Sequence, residues 1–246
     1  MAPELIVPDW PAPANVGALQ TTRRGGVSRE PYASLNLGDH VGDDPGAVLA
    51  NRRALAAALP GEPVWLAQVH GTAVADAGTA RAGDEADAIV ARIPRRVCVV
   101  LTADCLPILL CDRRGTVVAA VHAGWRGLAA GVVEAAVAAM GVPGGDLLAW
   151  LGPAIGGERF EVGAEVRAAF VAADAGAAAA FRPRGADKWL ADLEALARRR
   201  LERLGLPPAY GGGRCTAADS EAFFSYRRDG RTGRLGSFVW LDRPGV

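Results

Sequence analysis

Short apolar runs separated by glycine, proline and polar residues dominate the middle of the chain. Residues 97–101 and 108–111 form two such runs, and a polar Thr-Ala-Asp-Cys stretch and Pro107 lie between them. Residues 116–121 form a third run, rich in β-branched side chains. These runs predict buried strands, the first two being either adjacent strands or one bent strand. We predict further strands at residues 64–69, 147–151 and 237–241.

Apolar residues four positions apart predict a helix that begins after Gly124 and has on one side Leu128, Val132, Ala136 and Met140. Further helices are predicted from Asp44-Pro45 to Pro60-Gly61, at residues 164–172 and at residues 187–204. The predicted strands are too many for a regular alternation of one strand with one helix along the chain. The pattern therefore favours an α+β fold with mixed sheets over a doubly wound parallel fold.

The domain organisation follows from length and from the distribution of turn residues. The 31 glycines and 16 prolines are spread through all 246 residues and mark no linker, so we expect residues 1–246 to form one domain. Residues 21–46 are polar and rich in glycine, and a loop of this length usually serves a site.

Charge and cysteine content exclude several classes of protein. The 27 basic and 27 acidic residues cancel, so no net field favours nucleic acid or an anionic membrane. No apolar run approaches the roughly 18–20 residues of a membrane span, and no leader pattern opens the chain, so we predict a cytoplasmic protein. The four cysteines are too few for a disulfide scaffold and are predicted to be reduced thiols.

Two of the three histidines and one cysteine stand out as candidate metal ligands. His70, Cys105 and His122 each lie at the predicted end of a strand, although their separations of 35 and 17 residues match no compact motif. Two imidazoles and a thiolate form a plausible zinc set that leaves a fourth position for water or substrate. His40, between Asp39 and Asp43, is expected to be a surface residue or a partner of a ligand.

Other roles for these side chains stay open at this point. A histidine could deprotonate Cys105 so that the thiolate attacks an amide or ester carbon. Each side chain could also be structural, as a hydrogen-bonded imidazole or a buried thiol. The number of histidines excludes a multicopper oxidase, because its copper centres need on the order of ten histidines and the chain has three.

Arginines near these candidates indicate an anion site. The turn GWRG places Arg126 at a predicted helix start, where backbone N–H groups and the guanidinium could bind an anion or could be merely solvated. FFSYRRDGRTGR carries four arginines around a glycine turn, and arginine suits bidentate phosphate contact: Arg227, Arg228, Arg231 and Arg234.

Six segments together resemble the YfiH family, whose members are also described as purine nucleoside phosphorylases and earlier as polyphenol oxidases or laccase-domain proteins. The resemblance extends from residue 21 to residue 234 in the family's order. The matching segments are TTRRGGVSREPYASLNLGDHVGDD, VWLAQVHG, TADCLPILLCD, AVHAGWRG, AWLGPAIGGERFEVGAEV and CTAADSEAFFSYRRDGRTGR.

The resemblance implies a fold, a cofactor and an activity. It implies a single-domain α+β sandwich similar to the catalytic domain of cytotoxic necrotizing factor, with zinc on His70, Cys105 and His122. It implies phosphorolysis of adenosine, inosine, guanosine and methylthioadenosine, with adenosine deamination alongside. Some members look instead like amidases that edit misassembled cell-wall precursors.

Two further residues receive roles from their positions beside the expected ligands. We expect Arg126 to help hold phosphate, and Asp104 to transfer a proton or to support a ligand. The partners expected from this interpretation are purine nucleosides and phosphate, with neither nucleic acid nor membrane, and the protein is expected to be a monomer.

Overall fold

Strands carry most of the core in the computed structural model, which describes residues 2–242. The strands are β1 (Leu5–Ile6), β2 (Val16–Thr21), β3 (Pro63–Val64), β4 (Val74–Asp76), β5 (Ala88–Ala91), β6 (Val97–Thr102), β7 (Leu106–Asp112), β8 (Val118–Ala123), β9 (Leu147–Leu151), β10 (Glu161–Gly163), β11 (Phe181–Pro183), β12 (Lys188–Ala191), β13 (Tyr210–Gly211) and β14 (Leu235–Leu241). The helices are α1 (Pro45–Leu55), α2 (Trp125–Ala130), α3 (Val132–Met140), α4 (Ala164–Ala173), α5 (Leu193–Arg203) and α6 (Tyr226–Asp229). Short 3₁₀ turns span Ala56–Ala58, Gly144–Asp146 and Ala175–Ala180.

The strands form two large sheets and one small sheet. One large sheet has the order β13-β9-β7-β8-β5-β4, the other has the order β1-β2-β14-β6-β3, and the small sheet has the order β10-β12-β11. Most pairs are antiparallel, whereas β3 with β6, β4 with β5 and β9 with β13 are parallel. The predicted α+β class with mixed sheets is therefore confirmed.

The two large sheets pack face to face, and the alternation of side chains along each strand sets the layers. In β7, Leu109 and Cys111 join the apolar cluster between the sheets, together with Val100 of β6. Ile108 and Leu110 point the other way, into the cluster under α3, α4 and α5. Because both faces are covered, the central strands are apolar at consecutive positions, which is why they appear as continuous runs in the sequence.

Two predicted helix boundaries are wrong. The helix predicted after Gly124 is two helices, because Gly131 between them adopts a left-handed backbone with φ of 103°. The helix predicted at residues 187–204 begins only at Leu193, where the Asp192 side chain accepts a hydrogen bond from the Ala195 N–H at 2.9 Å. The preceding Lys188–Ala191 segment is instead β12, the middle strand of the small sheet.

The strand predicted at residues 64–69 is much shorter, since β3 ends at Val64. Beyond it, the Gln68 side chain bonds both backbone groups of Leu101 in β6, at 2.8 Å and 2.7 Å. The N–H groups of residues 69–71 donate to the side chain of Asp87 rather than to a neighbouring strand. His70 therefore lies in an irregular loop and not at a strand end. Within residues 2–242, the structure has no helix with the length and apolar character needed to cross a bilayer.

Candidate metal centre

The three predicted ligand residues converge at one end of the sandwich. Cys105 lies in the turn between β6 and β7, His122 is the penultimate residue of β8, and His70 reaches in from its loop. Their nitrogen and sulfur atoms all lie within 4.8 Å of one another. The Cys105 Sγ lies 3.8 Å from the His70 Nε2. Among the described residues, this is the one such group of three or more potential ligand side chains.

The donor atoms and the spacing of the cluster fit one metal ion. Ligand atoms that share a tetrahedral zinc ion at about 2.0–2.3 Å lie roughly 3.3–3.7 Å apart, so side-chain movements of about 1 Å would suffice. The imidazole rings of His70 and His122 meet edge to face, with centroids 4.8 Å apart. His122 is buried, Cys105 is half-buried and His70 is exposed, so one side of the cluster faces solvent.

A glycine leaves room for the cluster. Gly124, which precedes α2, has no Cβ, and a Cβ there would lie 2.9 Å from both the Cys105 Sγ and the His70 Cδ2. Its φ of −63° and ψ of 155° are open to any residue, so the backbone does not require glycine. The requirement comes from the space that the three donor atoms share.

A buried carboxylate that the sequence analysis missed organises the cluster. Asp87 is fully buried, and its Oδ1 lies 2.8 Å from the His122 Nδ1. Burial opposes ionisation of Asp87, but hydrogen bonds from His122 and from the Gly71 and His70 N–H groups outweigh it and lower its pKa. The ionised carboxylate can only accept, so Nδ1 of His122 carries the proton and Nε2 faces the cluster.

The thiol and the buried imidazole shift each other's pKa in the absence of metal. Burial opposes the Cys105 thiolate, but the charge of His122 and hydrogen bonds from both imidazoles lower the pKa of Cys105 to about 6. Burial likewise opposes the His122 imidazolium, but the Cys105 thiolate and Asp87 raise the pKa of His122 to about 9. The pair is thus a thiolate beside an imidazolium at neutral pH.

The cluster opens into a cavity of about 480 Å³ whose walls are both aromatic and cationic. Trp125, Phe160 and Tyr226 line it beside the apolar Leu101 and Leu193. Its polar lining residues, besides the three candidate ligands, are His40, Gln68, Thr102, Asp104, Arg126, Arg227 and Arg234.

The structure separates the arginines that the sequence could not distinguish. Arg228 is held by Asp229 and by the carbonyls of Thr216 and Phe223, so its guanidinium is occupied. Arg231 donates to the Tyr32 hydroxyl. The remaining arginines line the cavity, and none of them forms an ion pair with a carboxylate within residues 2–242: Arg126, Arg227 and Arg234.

Asp104 and His40 also lie at the cavity. Asp104 is buried in the turn before Cys105, with a φ of 91°, and its two carboxylate oxygens accept from the Thr216 hydroxyl and the Arg227 N–H, each at 2.6 Å. His40 is exposed, with its Nδ1 3.5 Å from Asp39 Oδ1. Partial burial and the charge of nearby Arg234 lower the pKa of His40.

The fold and this cluster define a class of α+β sandwich proteins with a His/Cys/His centre at one end. The family described as "Multi-copper polyphenol oxidoreductase laccase" matches residues 17–242. The chain belongs to this family, which includes the YfiH proteins.

Relatives with names and solved structures support the same assignment. The chain is 56% identical over 241 residues to "Purine nucleoside phosphorylase YfiH" of Escherichia coli, covering 97% of this chain and 99% of that protein. It is 57% identical over 237 residues to "Purine nucleoside phosphorylase PA4543" of Pseudomonas aeruginosa, covering 96% and 98%. The crystal structure of Neisseria meningitidis protein NMB0706 superposes with a TM-score of 0.95 at 52% identity, covering 97% and 99%.

The family description names a multicopper oxidoreductase, whereas the Escherichia coli and Pseudomonas aeruginosa relatives are named phosphorylases. The chain has three histidines, and one of them, His40, lies outside the cluster. A trinuclear and a mononuclear copper centre together need on the order of ten histidines. The described residues therefore offer ligands for one metal ion.

We predict that Gly124→Ala weakens metal binding about tenfold or more, because its Cβ would meet the sulfur of Cys105 and the ring of His70. Zinc affinity measured by competition with a chromogenic chelator checks this. Gly145→Ala is the matched control, since a Cβ there would meet only the Gly205 carbonyl at 3.9 Å. Unchanged affinity in Gly124→Ala would show that the cluster does not fill this space.

We also predict that metal-free protein is alkylated at Cys105 with a half-maximal rate near pH 6, because the thiolate is the nucleophile and its pKa is about 6. The rate should fall below that pH. Iodoacetamide labelling followed by peptide mass spectrometry measures it, with Cys105→Ala as background. His122→Ala should move the midpoint up towards the ordinary thiol value of 9.0. A wild-type midpoint near 9 would contradict the expected imidazolium beside the sulfur.

Proposed function

We propose that the protein is a zinc-dependent purine nucleoside phosphorylase acting on adenosine, inosine, guanosine and methylthioadenosine, with adenosine deamination as a side activity. The observation that carries the proposal is one cavity that joins the His70, Cys105 and His122 cluster to aromatic walls and to arginines without carboxylate partners. The names of relatives at 56–57% identity support it.

Zinc is the proposed metal because of the donor set. Two imidazole nitrogens and a thiolate are a usual zinc combination, and three protein ligands leave a fourth position open. A bound zinc ion would supply Lewis-acid activation of water or of a substrate group, which suits deamination at C6 of adenosine. The protein's part is to hold the Nδ1 proton of His122 against Asp87, so that Nε2 is the ring nitrogen turned towards the ion.

Arginines that lack carboxylate partners are the proposed phosphate site. Phosphorolysis requires phosphate to approach C1′ of the ribose while negative charge on the departing purine is neutralised. Arg126 is exposed at the start of α2, and its guanidinium lies over the Trp125 ring, 4.6 Å from the centroid. This stacking leaves the edge of the guanidinium free to bind an oxyanion. Arg227 and Arg234 line the same cavity.

The aromatic lining is the proposed purine site. Trp125 is half-buried, Phe160 is buried and Tyr226 is exposed at the mouth, so the cavity has an apolar wall with one open side. Stacking on such rings binds any purine, since every base has a π face. This tolerance is consistent with a substrate range that includes adenosine, inosine and guanosine.

For Asp104, the hydrogen bonds favour a supporting role over proton transfer. Both of its oxygens already accept from donors at 2.6 Å, and its own carbonyl accepts from the Ile155 N–H at 2.9 Å. It thereby joins the turn that carries Cys105 to the segment that carries Arg227. We propose that it positions these two cavity residues relative to each other.

A second candidate function is an amidase that edits misassembled peptidoglycan precursors. A specific observation favours it: Cys105, His122 and Asp87 line up as thiolate, imidazolium and carboxylate, the arrangement of a cysteine hydrolase. Metal on the sulfur would quench this nucleophile, so metal content separates the two functions.

The remaining expectations belong to the same proposal. Residues 1–246 would form one domain, working as a cytoplasmic monomer on small nucleosides and phosphate, with neither nucleic acid nor membrane as partner. The balanced charge supports the absence of nucleic acid.

We predict that zinc-loaded protein converts adenosine and phosphate to adenine and ribose 1-phosphate, with less inosine, and that Cys105→Ala loses both bound zinc and activity. Liquid chromatography of the products and elemental analysis of the purified proteins measure this.

A muramyl peptide with an incorrect first residue is the comparison substrate. If metal-free protein cleaves that peptide and leaves nucleosides unchanged, the amidase and not the phosphorylase is the function of the protein. If zinc-loaded protein forms neither adenine nor inosine from adenosine, the proposed phosphorylase activity is refuted.

We predict that Arg126→Ala raises the KM for phosphate about tenfold, as loss of one charge-assisted hydrogen bond implies, with a smaller effect on the KM for adenosine. Steady-state kinetics with phosphate and adenosine varied separately check this. Arg53→Ala is the control, because Arg53 is an exposed arginine on α1, outside the cavity. An unchanged phosphate KM and kcat in Arg126→Ala would show that the phosphate binds elsewhere.

A further inference from the structure

We infer that Asp87 is the positioning residue of the metal centre, because one carboxylate holds two of the three ligand residues, His70 and His122, in binding geometry. The inference rests on the metal centre of the proposed function and on no particular substrate. Asp87 immediately precedes β5, is fully buried, and is not itself a member of the cluster.

Asp87 controls His122 through its side chain and its main chain. Its Oδ1 lies 2.8 Å from the His122 Nδ1, and its carbonyl accepts from the His122 N–H at 2.7 Å. The first bond fixes the tautomer and the ring orientation, so that Nε2 presents its lone pair to the cluster. The second bond fixes the position of His122 along β8 relative to β5.

Asp87 controls His70 through the loop. Its Oδ1 accepts from the His70 N–H at 2.9 Å, and its Oδ2 accepts from the Val69 and Gly71 N–H groups at 3.2 Å and 2.6 Å. His70 adopts a φ of 60°, a left-handed conformation that costs free energy for a residue with a side chain. Three consecutive N–H groups converging on one carboxylate stabilise that conformation.

Asparagine at this position cannot satisfy the same donors. All four groups facing the carboxylate are donors, two at each oxygen. An amide NH₂ in place of Oδ2 would face the N–H groups of Val69 and Gly71, donor against donor. In place of Oδ1, it would face the donors of His122 and His70 in the same way. Either orientation of Asp87→Asn therefore disturbs one ligand while conserving side-chain volume.

Asp112 provides a matched control, because it lies in β7, in the same sheet as β5. It is also fully buried, and it accepts from the Thr116 N–H at 2.6 Å, the Thr116 hydroxyl at 2.8 Å and the Val117 N–H at 3.0 Å. It ends β7 at the strand end opposite Cys105, roughly 20 Å away at about 3.3 Å per residue. Asp112→Asn should therefore destabilise the fold without touching the metal centre.

The first measurement is zinc affinity by chelator competition on full-length wild type, Asp87→Asn and Asp112→Asn, each also melted thermally. We expect Asp87→Asn to bind zinc on the order of 10- to 100-fold more weakly, and Asp112→Asn to bind as wild type although its thermal midpoint falls. Equal affinities in all three proteins would overturn the inference, as would equal losses in both variants.

The second measurement is the tautomer of His122, which a merely structural role of Asp87 would not change. Long-range ¹⁵N–¹H correlation spectra of zinc-loaded protein should show His122 protonated at Nδ1 in wild type and Asp112→Asn. With three histidines in the chain, His40→Gln identifies the signal of the one histidine outside the cluster. His122 is then recognised as the ring whose Nδ1–H lies against a carboxylate. In Asp87→Asn this signal should broaden or move. An unchanged signal with unchanged affinity would refute the positioning role.

These readouts also separate this inference from the proposed activity. Weaker zinc binding in Asp87→Asn without any phosphorolysis by wild type would sustain the positioning role and refute the phosphorylase. Phosphorolysis by wild type with unaltered zinc binding in Asp87→Asn would support the phosphorylase and refute the positioning role of Asp87. Wild-type protein that takes up no zinc would refute both the metal centre and the role given to Asp87.

Discussion

The buried charge of Asp87 is the constraint on which the geometry of the centre depends. A carboxylate with no solvent contact is stable only if donors surround it, and here all four donors come from two segments distant in sequence, residues 69–71 and His122. Satisfying one charge therefore brings the loop and the strand together. The approach of the His70 ring to the His122 ring is a consequence of that requirement.

The sandwich contributes the third member of the cluster. Cys105 directly precedes β7 and His122 lies in β8. These two strands are hydrogen-bonded neighbours, so pairing within one sheet already places the two residues close together. His70 follows β3, which belongs to the opposite sheet, and Gln68 ties its loop to Leu101 of β6. The cluster thus lies where the ends of the two sheets meet. Strand pairing and sheet packing align its members, and Gly124 leaves the space between them.

Sequence patterns predicted the parts of the fold that depend on local periodicity. The central strands and the α+β class follow from apolar runs, and the grouping of His70, Cys105 and His122 was expected, although His70 lies in a loop. Asp87 was missed because it sits in the acidic segment GDEADA, which resembles a solvated loop. Its position directly before the apolar run AIVA was the available signal. Arg228 could not be told from Arg227 because the carbonyls that accept from each guanidinium are known only from the tertiary structure: those of Thr216 and Phe223 for Arg228, and that of Glu161 for Arg227.

The composition of the cluster itself favours metal over a free nucleophile. A cysteine nucleophile needs one imidazole as base and one carboxylate to orient it, and His122 with Asp87 would suffice. His70 is then surplus, yet its Nε2 lies 3.8 Å from the sulfur and its loop is held in a left-handed turn by the same carboxylate. Gly124 also keeps the space beside the sulfur and the His70 ring free of a side chain. Both features have a use if the sulfur and two nitrogens surround an ion, which accounts for the strain at His70.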